Sequence, residues 1–311
     1  MKKRLIGIAV SLVLIAILWS SVDFAAIVTA ARRADPVWFW AAIAMVVPLT
    51  LGTSERFRVL ANGSVGLGTS IRLILSASTL NLVLPSKMGD IAKAWVLRRR
   101  DGMSDARALT LVVFEKMLDM MSLLAMGTVA LLVAGMDFPG AWLALLVVAG
   151  GALTLFCVTL PGLMARLPLR RLLGKRRLPA KLAAVTGAWG DLTRSFWADR
   201  PKALAILGGS LLIWVGHLVQ IWLFARAIAP TIPFPETATF GTLAILAGLL
   251  PFTFAGVGTR DAALVLLFAP WLSGGEAALL GVFATLRYVL PAIAGLPFVG
   301  DYWKQRTVPA Q

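Results

Sequence analysis

Apolar residues along this chain gather into long runs, and charged residues fall mostly in the gaps between them. A helix needs about 20 predominantly apolar residues to cross a hydrocarbon layer of ~30 Å. Leu5–Val22, Pro36–Gly52, Ala106–Ala134, Ala141–Met164, Lys202–Ile228 and Glu276–Val299 meet that requirement or come close, which predicts six spans. Met1-Lys-Lys-Arg4 before an apolar run has the look of a secretion signal. It lacks a convincing small-residue cleavage site, so Leu5–Val22 is read as a first span. Trp38, Trp40, Trp142, Trp271 and Trp303 stand at span ends, where aromatic side chains anchor in the interface.

Two stretches break the pattern. Asn81-Leu-Val-Leu-Pro85-Ser-Lys87-Met-Gly89-Asp90-Ile-Ala-Lys93 places a helix breaker, a glycine and three charges inside a hydrophobic region. Leu250-Pro251-Phe-Thr-Phe-Ala-Gly256-Val-Gly258-Thr-Arg260-Asp261 repeats its plan: leucine, proline, a spacer, glycine, aspartate. Thr69–Leu84 and Gly89–Leu97 flank the first break; Glu236–Leu250 and Arg260–Leu272 flank the second. Each flanking segment is too short or too polar for a full span, so each pair is read as a re-entrant helical hairpin. Broken backbone is tolerated at membrane depth only where protein buries it or it lines a cavity. Matching breaks in two halves of a chain point to a transporter binding site.

Composition agrees and narrows the class. Of 311 residues, 59% are hydrophobic and 14% charged, with a mean hydropathy of +0.84. The expected fold is an all-α integral membrane protein, a polytopic helical bundle of about six spans plus two re-entrant hairpins. The net charge of +15 would suggest nucleic acid in a soluble protein; here membrane topology explains it, and no nucleic-acid partner is expected. Basic residues cluster at Met1–Arg4, Arg56/Arg58, Arg98–Arg100, Arg166–Lys202 and Lys304/Arg306. Arg166–Lys202 alone holds ten Lys and Arg against Asp191 and Asp199. With the N-terminus in the cytoplasm all five clusters become cytoplasmic, as the positive-inside rule requires, and so does the C-terminus. The first hairpin then enters from the cytoplasmic side and the second from the outer side. That makes one domain, 1–311, of two inverted repeats (about 1–137 and 138–311) joined by a basic cytoplasmic linker at 165–201. The basic run Arg170–Arg177 can also rest on anionic lipid. One cysteine, Cys157, excludes an intrachain disulfide, and one histidine, His217, leaves no histidine cluster for a metal. No cofactor is expected.

Several charges lie at depth. Glu115, Lys116 and Asp119 have the spacing to share one helix face. Arg287 sits mid-span with no carboxylate within a turn, so Asp90, Asp119 or Asp261 is expected to pair with it from another element. Intramembrane ionisable residues mark functional sites by default. Lys87, Lys93, Lys116, Arg260 and Arg287 could neutralise a phosphate; Asp90, Glu115, Asp119 and Asp261 could meet an amine or carry a proton. Trp214, His217 and Gln220, at intervals of three, are read as helix packing with polar contacts.

These residues resemble the lysylphosphatidylglycerol synthase transmembrane-region family, a flippase-like domain. The likeness runs through Arg56, Asn81-x-x-x-Pro85-x-x-x-Gly89-Asp90, Glu115-Lys116-x-x-Asp119, Leu250-Pro251-x-Thr-x-x-Gly256-x-Gly258-x-Arg260-Asp261 and Arg287, and covers nearly the whole chain. The family often has Pro-Gly where this chain has Pro85-Ser86, arginine at Lys93 and Lys116, and glutamate at Asp261. The resemblance implies movement of a lipid or lipid-linked compound between leaflets of the bacterial inner membrane. Arg56, Lys116, Arg260 and Arg287 would hold phosphate; Asp90, Glu115, Asp119 and Asp261 would orient those bases or bind an amine. Asn81 and Lys93 belong to the first motif, and Pro85, Gly89, Pro251, Gly256 and Gly258 would shape the breaks. No synthase domain is expected within a chain ending at Gln311, so an enzymatic role is not expected. A lipid-modifying synthase or a glycosyltransferase is the expected class of partner protein. Two other readings remain open: a membrane enzyme using Glu115 or Asp90 as a general base, and a scaffold for such an enzyme.

Overall fold

The computed structural model describes residues 24–83, 88–100, 103–135, 141–162, 180–249 and 258–304. These are helical, with no strand among the described residues. In chain order the helices are α1 (Phe24–Arg33), α2 (Pro36–Ala44), α3 (Val46–Leu60), α4 (Leu67–Val83), α5 (Met88–Arg100) and α6 (Asp105–Ala134). They continue as α7 (Ala141–Thr159), α8 (Ala180–Ala198), α9 (Arg200–Ile228), α10 (Phe234–Gly248), α11 (Thr259–Leu267) and α12 (Gly274–Lys304).

Five of these segments have the length and apolarity to cross a membrane: Pro36–Leu60, Asp105–Ala134, Ala141–Thr159, Arg200–Ile228 and Gly274–Gly300. They coincide with five of the six expected spans; Leu5–Val22 lies outside the described residues. Local sequence sets their ends. Asp35 caps α2 by accepting from the Val37 N–H at 2.8 Å, with Pro36 in the first turn. Ser104 caps α6 and Asp199 caps α9 in the same way. Pro48 has no N–H to give the Ala44 carbonyl, and the Pro36–Leu60 segment turns at Met45, between α2 and α3. Apolar side chains point outward from these helices; on α7, Trp142, Leu143, Leu146 and Val147 are exposed, a surface suited to hydrocarbon rather than water.

The helices beside the two breaks are shorter. α4 has 17 residues, α5 13, α10 15 and α11 9. At 1.5 Å per residue even α4 reaches only about 25 Å. α4 packs on α5, and α10 on α11. Gly89 is why the first pair can close: a Cβ there would collide with the Ala77 carbonyl and lie 2.8 Å from the Asn81 nitrogen. Gly258, at φ +100°, takes a backbone conformation that favours glycine, and its N–H meets Asp261 Oδ2 at 3.3 Å. Pro85, Pro251 and Gly256 lie outside the described residues.

Packing partners exchange between the two halves. α4 lies on α12, and α10 on α6. α5 packs on α6, and α11 on α12; α3 packs on α4, and α9 on α10; α1 packs on α12, and α7 on α6. Two apolar cores form, each drawing residues from both halves. Phe57, Phe114 and Leu118 centre the first; Phe224, Phe268 and Leu280 centre the second. Within the stretch read as a linker, Ala180–Ala198 forms α8, which packs on α6 and α9 and inserts Trp189 and Phe196 into the first core.

Candidate functional site

Six ionisable side chains from three helices meet in the first half. α6 supplies Glu115, Lys116 and Asp119, α5 supplies Asp90 and Lys93, and α3 supplies Arg56. Lys93, fully buried, places its Nζ 2.5 Å from Glu115 Oε2 and 3.2 Å from Asp90 Oδ1. Its ammonium also lies 5.3 Å from the centre of the Phe57 ring, a favourable cation–π distance. Lys116 Nζ bridges Asp90 Oδ1 and Asp119 Oδ2, each at 3.3 Å. Arg56 Nη1 reaches Asp119 Oδ1 at 2.6 Å and donates to Ser210 Oγ of α9 at 3.0 Å. Asn81 of α4 donates to Asp90 Oδ2 at 3.2 Å. Burying an ion without a partner costs several kcal/mol. Here three cations, Arg56, Lys93 and Lys116, face three carboxylates, Asp90, Glu115 and Asp119, and the charge sums to zero. The spacing read from sequence held: Lys116 and Asp119 do share a face and pair.

The second half holds fewer charges, and they do not balance. Arg260 forks onto Asp261 Oδ1 through Nε at 2.9 Å and Nη2 at 2.6 Å. Its Nη2 also donates to Thr285 Oγ1 at 2.8 Å and to the Gly281 carbonyl at 3.3 Å. Arg287, 6% exposed, has no ion pair and no hydrogen-bond partner for Nε or Nη1 among the described residues. Its guanidinium and that of Arg260 lie 5.4 Å and 5.9 Å from the centre of the same Tyr288 ring. Pro291, four residues on, offers no N–H to the Arg287 carbonyl.

One expectation is therefore corrected. None of Asp90, Asp119 and Asp261 pairs with Arg287, because each is already held by a nearer cation: Lys93 and Lys116, Arg56 and Lys116, and Arg260. The structure brings Arg56, Asn81, Asp90, Lys93, Glu115, Lys116 and Asp119 together in one network, with Gly89 at the adjoining α4–α5 contact. Arg260, Asp261 and Arg287 form a second group. Ser210 and Thr285, which anchor Arg56 and Arg260, were missed; their only signal was a small hydroxyl within an apolar run. Gln220 packs as expected, donating to the Ala42 carbonyl at 2.9 Å. No cluster of metal-ligating side chains occurs among the described residues.

Beside the first network lies an open apolar cavity of about 530 Å³ between α6, α7 and α8. Val113, Met117, Met120, Leu155, Val158 and Trp189 line it, and Lys116 is its only charged lining residue. Hydrocarbon and a buried ionic network thus meet at one side chain.

Five membrane-length segments define an integral, multi-pass membrane protein, and a network of interlocked charges lies between two of them and the short helix α5. The chain belongs to the lysylphosphatidylglycerol synthase transmembrane-region family, whose profile matches residues 4–295. Membership ties the protein to membrane lipid metabolism. No curated protein matches its sequence.

Proposed function

We propose that this protein moves a phospholipid, or a lipid-linked phosphate compound, between the leaflets of the bacterial inner membrane, with both termini in the cytoplasm. The observation that carries the reading is Arg287: a cation 6% exposed, in the middle of a long apolar helix, without a carboxylate partner among the described residues. An unpaired buried charge is costly, and an anionic headgroup would neutralise it. A headgroup crossing between the hairpins would meet this charge while its tails stay in apolar surroundings such as the cavity at Lys116. The exchanged packing of α4 on α12 and α10 on α6 supports inverted repeats over about 1–137 and 138–311, an architecture that serves alternating access. The short helices on either side of the breaks support re-entrant hairpins. The loop bias in Lys and Arg supports the orientation.

Leaflet exchange in proteoliposomes tests the proposal, using fluorescent phosphatidylglycerol and a polyprenyl phosphate. Wild type is expected to speed exchange of one of them, and Arg287→Gln and Asp90→Asn to abolish it. Well-folded wild type that moves neither lipid would sink the translocation reading and favour a scaffold. Chemical conversion of the labelled lipid would favour an enzyme.

A further inference from the structure

Helix α9 packs on α3, α6 and α12, the helices that carry Arg56, Asp119 and Arg287. Two of its side chains at this junction were read from sequence as packing. Trp214 and His217 lie ring against ring, with centroids 5.5 Å apart. Trp214 Nε1 and His217 Nδ1 are buried, and neither has a hydrogen-bond partner among the described residues. Arg287 Nε and Nη1 and Arg56 Nε share that condition. The charges of Arg287, Asp119 and Arg56 act on the buried His217 ring, and Gln220 hydrogen-bonds to it.

Most of these unmet groups are donors. Tryptophan and arginine nitrogens can only donate. Gln220 engages the other nitrogen of the His217 ring, so His217 Nδ1 donates when the ring carries both protons. Buried polar groups in folded proteins nearly always find partners, and exceptions call for an explanation. A set of N–H donors around one unpaired arginine is matched by an oxyanion with several acceptor oxygens. Packing alone explains the ring contact of Trp214 and His217, but it leaves their nitrogens unmet.

We infer that α9 forms one wall of a phosphate site, in which Arg287 binds an oxyanion and His217 Nδ1 and Trp214 Nε1 donate to the same anion. The inference rests on the translocation reading for its ligand: the phosphate is that of a lipid headgroup. It also narrows that reading, because Arg56, Lys116 and Arg260 are committed to carboxylates and the phosphate falls to Arg287. Trp214 and His217 would then recognise phosphate itself, whatever group is esterified to it.

Thermal stabilisation of the purified full chain reads the site, because a ligand that binds the folded state raises Tm. Dioctanoyl phosphatidic acid is expected to raise Tm in a titratable way, and dioctanoylglycerol, which lacks the phosphate, to leave it unchanged. His217→Phe and Trp214→Phe keep a ring in place and remove the N–H. Each is expected to weaken phosphatidic acid binding about tenfold, the size of one hydrogen bond to a charged group. Arg287→Gln is expected to weaken it at least about 30-fold. Inorganic phosphate in place of the lipid separates the sources: stabilisation by the lipid alone supports a headgroup site. Equal stabilisation by inorganic phosphate would overturn the lipid assignment. Wild-type affinity in both α9 variants, with unliganded Tm unchanged, would overturn the inference, as would equal responses to phosphatidic acid and dioctanoylglycerol. Leaflet exchange on the same proteins keeps the two claims apart. Donor-dependent binding without exchange leaves the site standing and removes translocation. Exchange with unaltered binding in both α9 variants does the reverse.

Discussion

The two halves of this protein follow one packing plan and differ in how they handle charge. In each, a short helix beside a break lies on the last long helix of the other half. The first half pairs three cations with three carboxylates at 2.5 to 3.9 Å, with Arg56, Lys93, Asp90 and Glu115 buried and Lys116 and Asp119 partly exposed. The second buries two arginines with one aspartate. A neutral, interlocked cluster contributes to a fixed arrangement of α3, α5 and α6 and has little left to offer a ligand. An uncompensated arginine does the opposite: it strains the empty protein and waits for an anion. On the proposed reading, the difference gives stability mainly to the first group and recognition to the second.

That contrast can be broken from either side. The largest stability effect is expected at Lys93. Lys93→Met leaves Glu115 with only the longer contacts to Arg56 at 3.8 Å and Lys116 at 3.9 Å, and removing one partner of a buried pair costs about 3–5 kcal/mol. A large fall in Tm should follow, and the double variant Lys93→Met/Glu115→Leu should recover much of it. Arg287→Gln should show the reverse signature. Exchange falls by about 100-fold or more, the ~2–5 kcal/mol scale of losing a buried charge partner, while Tm holds or rises. A fall in Tm comparable to that of Lys93→Met would erase the distinction between the halves.

Two smaller effects sharpen it. At the α4–α5 contact, Gly89→Ala drives a methyl group into the Ala77 carbonyl, where backbone cannot yield. At the α6–α10 contact, Gly127→Ala meets the Leu246 side chain at 2.5 Å, which can rotate away. Overpacking of a rigid site costs about 1–3 kcal/mol, so chemical denaturation should show Gly89→Ala as the more damaging of the two. Thr285→Val removes the 2.8 Å acceptor of Arg260 and should cost about 1.5–3 kcal/mol, the range for a hydrogen bond to a charged group. The cost should be smaller if Arg260 swings toward a bound anion, so repeating the Tm measurement with phosphatidic acid present is informative.

Most of what composes the site was visible in the chain, because a charge inside an apolar run stands out against its neighbours. Arg56, Asp90, Glu115, Lys116, Asp119, Arg260 and Arg287 were legible for that reason. Their pairing was not. Lys93 meets Glu115 across 22 positions of sequence, and Arg56 meets Asp119 from another helix. Sequence spacing resolves contacts within a helix, as for Lys116 and Asp119, but not which helices adjoin. Arg287 was expected to find a carboxylate and found none among the described residues, since all three candidates pair with other cations. His217 and Trp214 were weighed as packing because three-residue spacing describes a helix face and says nothing of what the face meets. Helix α8 was hidden by the basic residues around it, although Trp189, Leu192 and Phe196 recur at helical intervals.

The sequence by itself determined that the chain is a helical membrane protein, where the long helices among the described residues run, and which family it resembles. Hydrophobic runs and proline–glycine interruptions act locally, so they can be read locally. Only the tertiary structure decided which charges cancel. Ionic pairing depends on distances of a few ångströms between helices remote in the chain, and those distances follow from packing. The arrangement leaves Arg287 without a carboxylate among the described residues, and the functional reading rests on that residue.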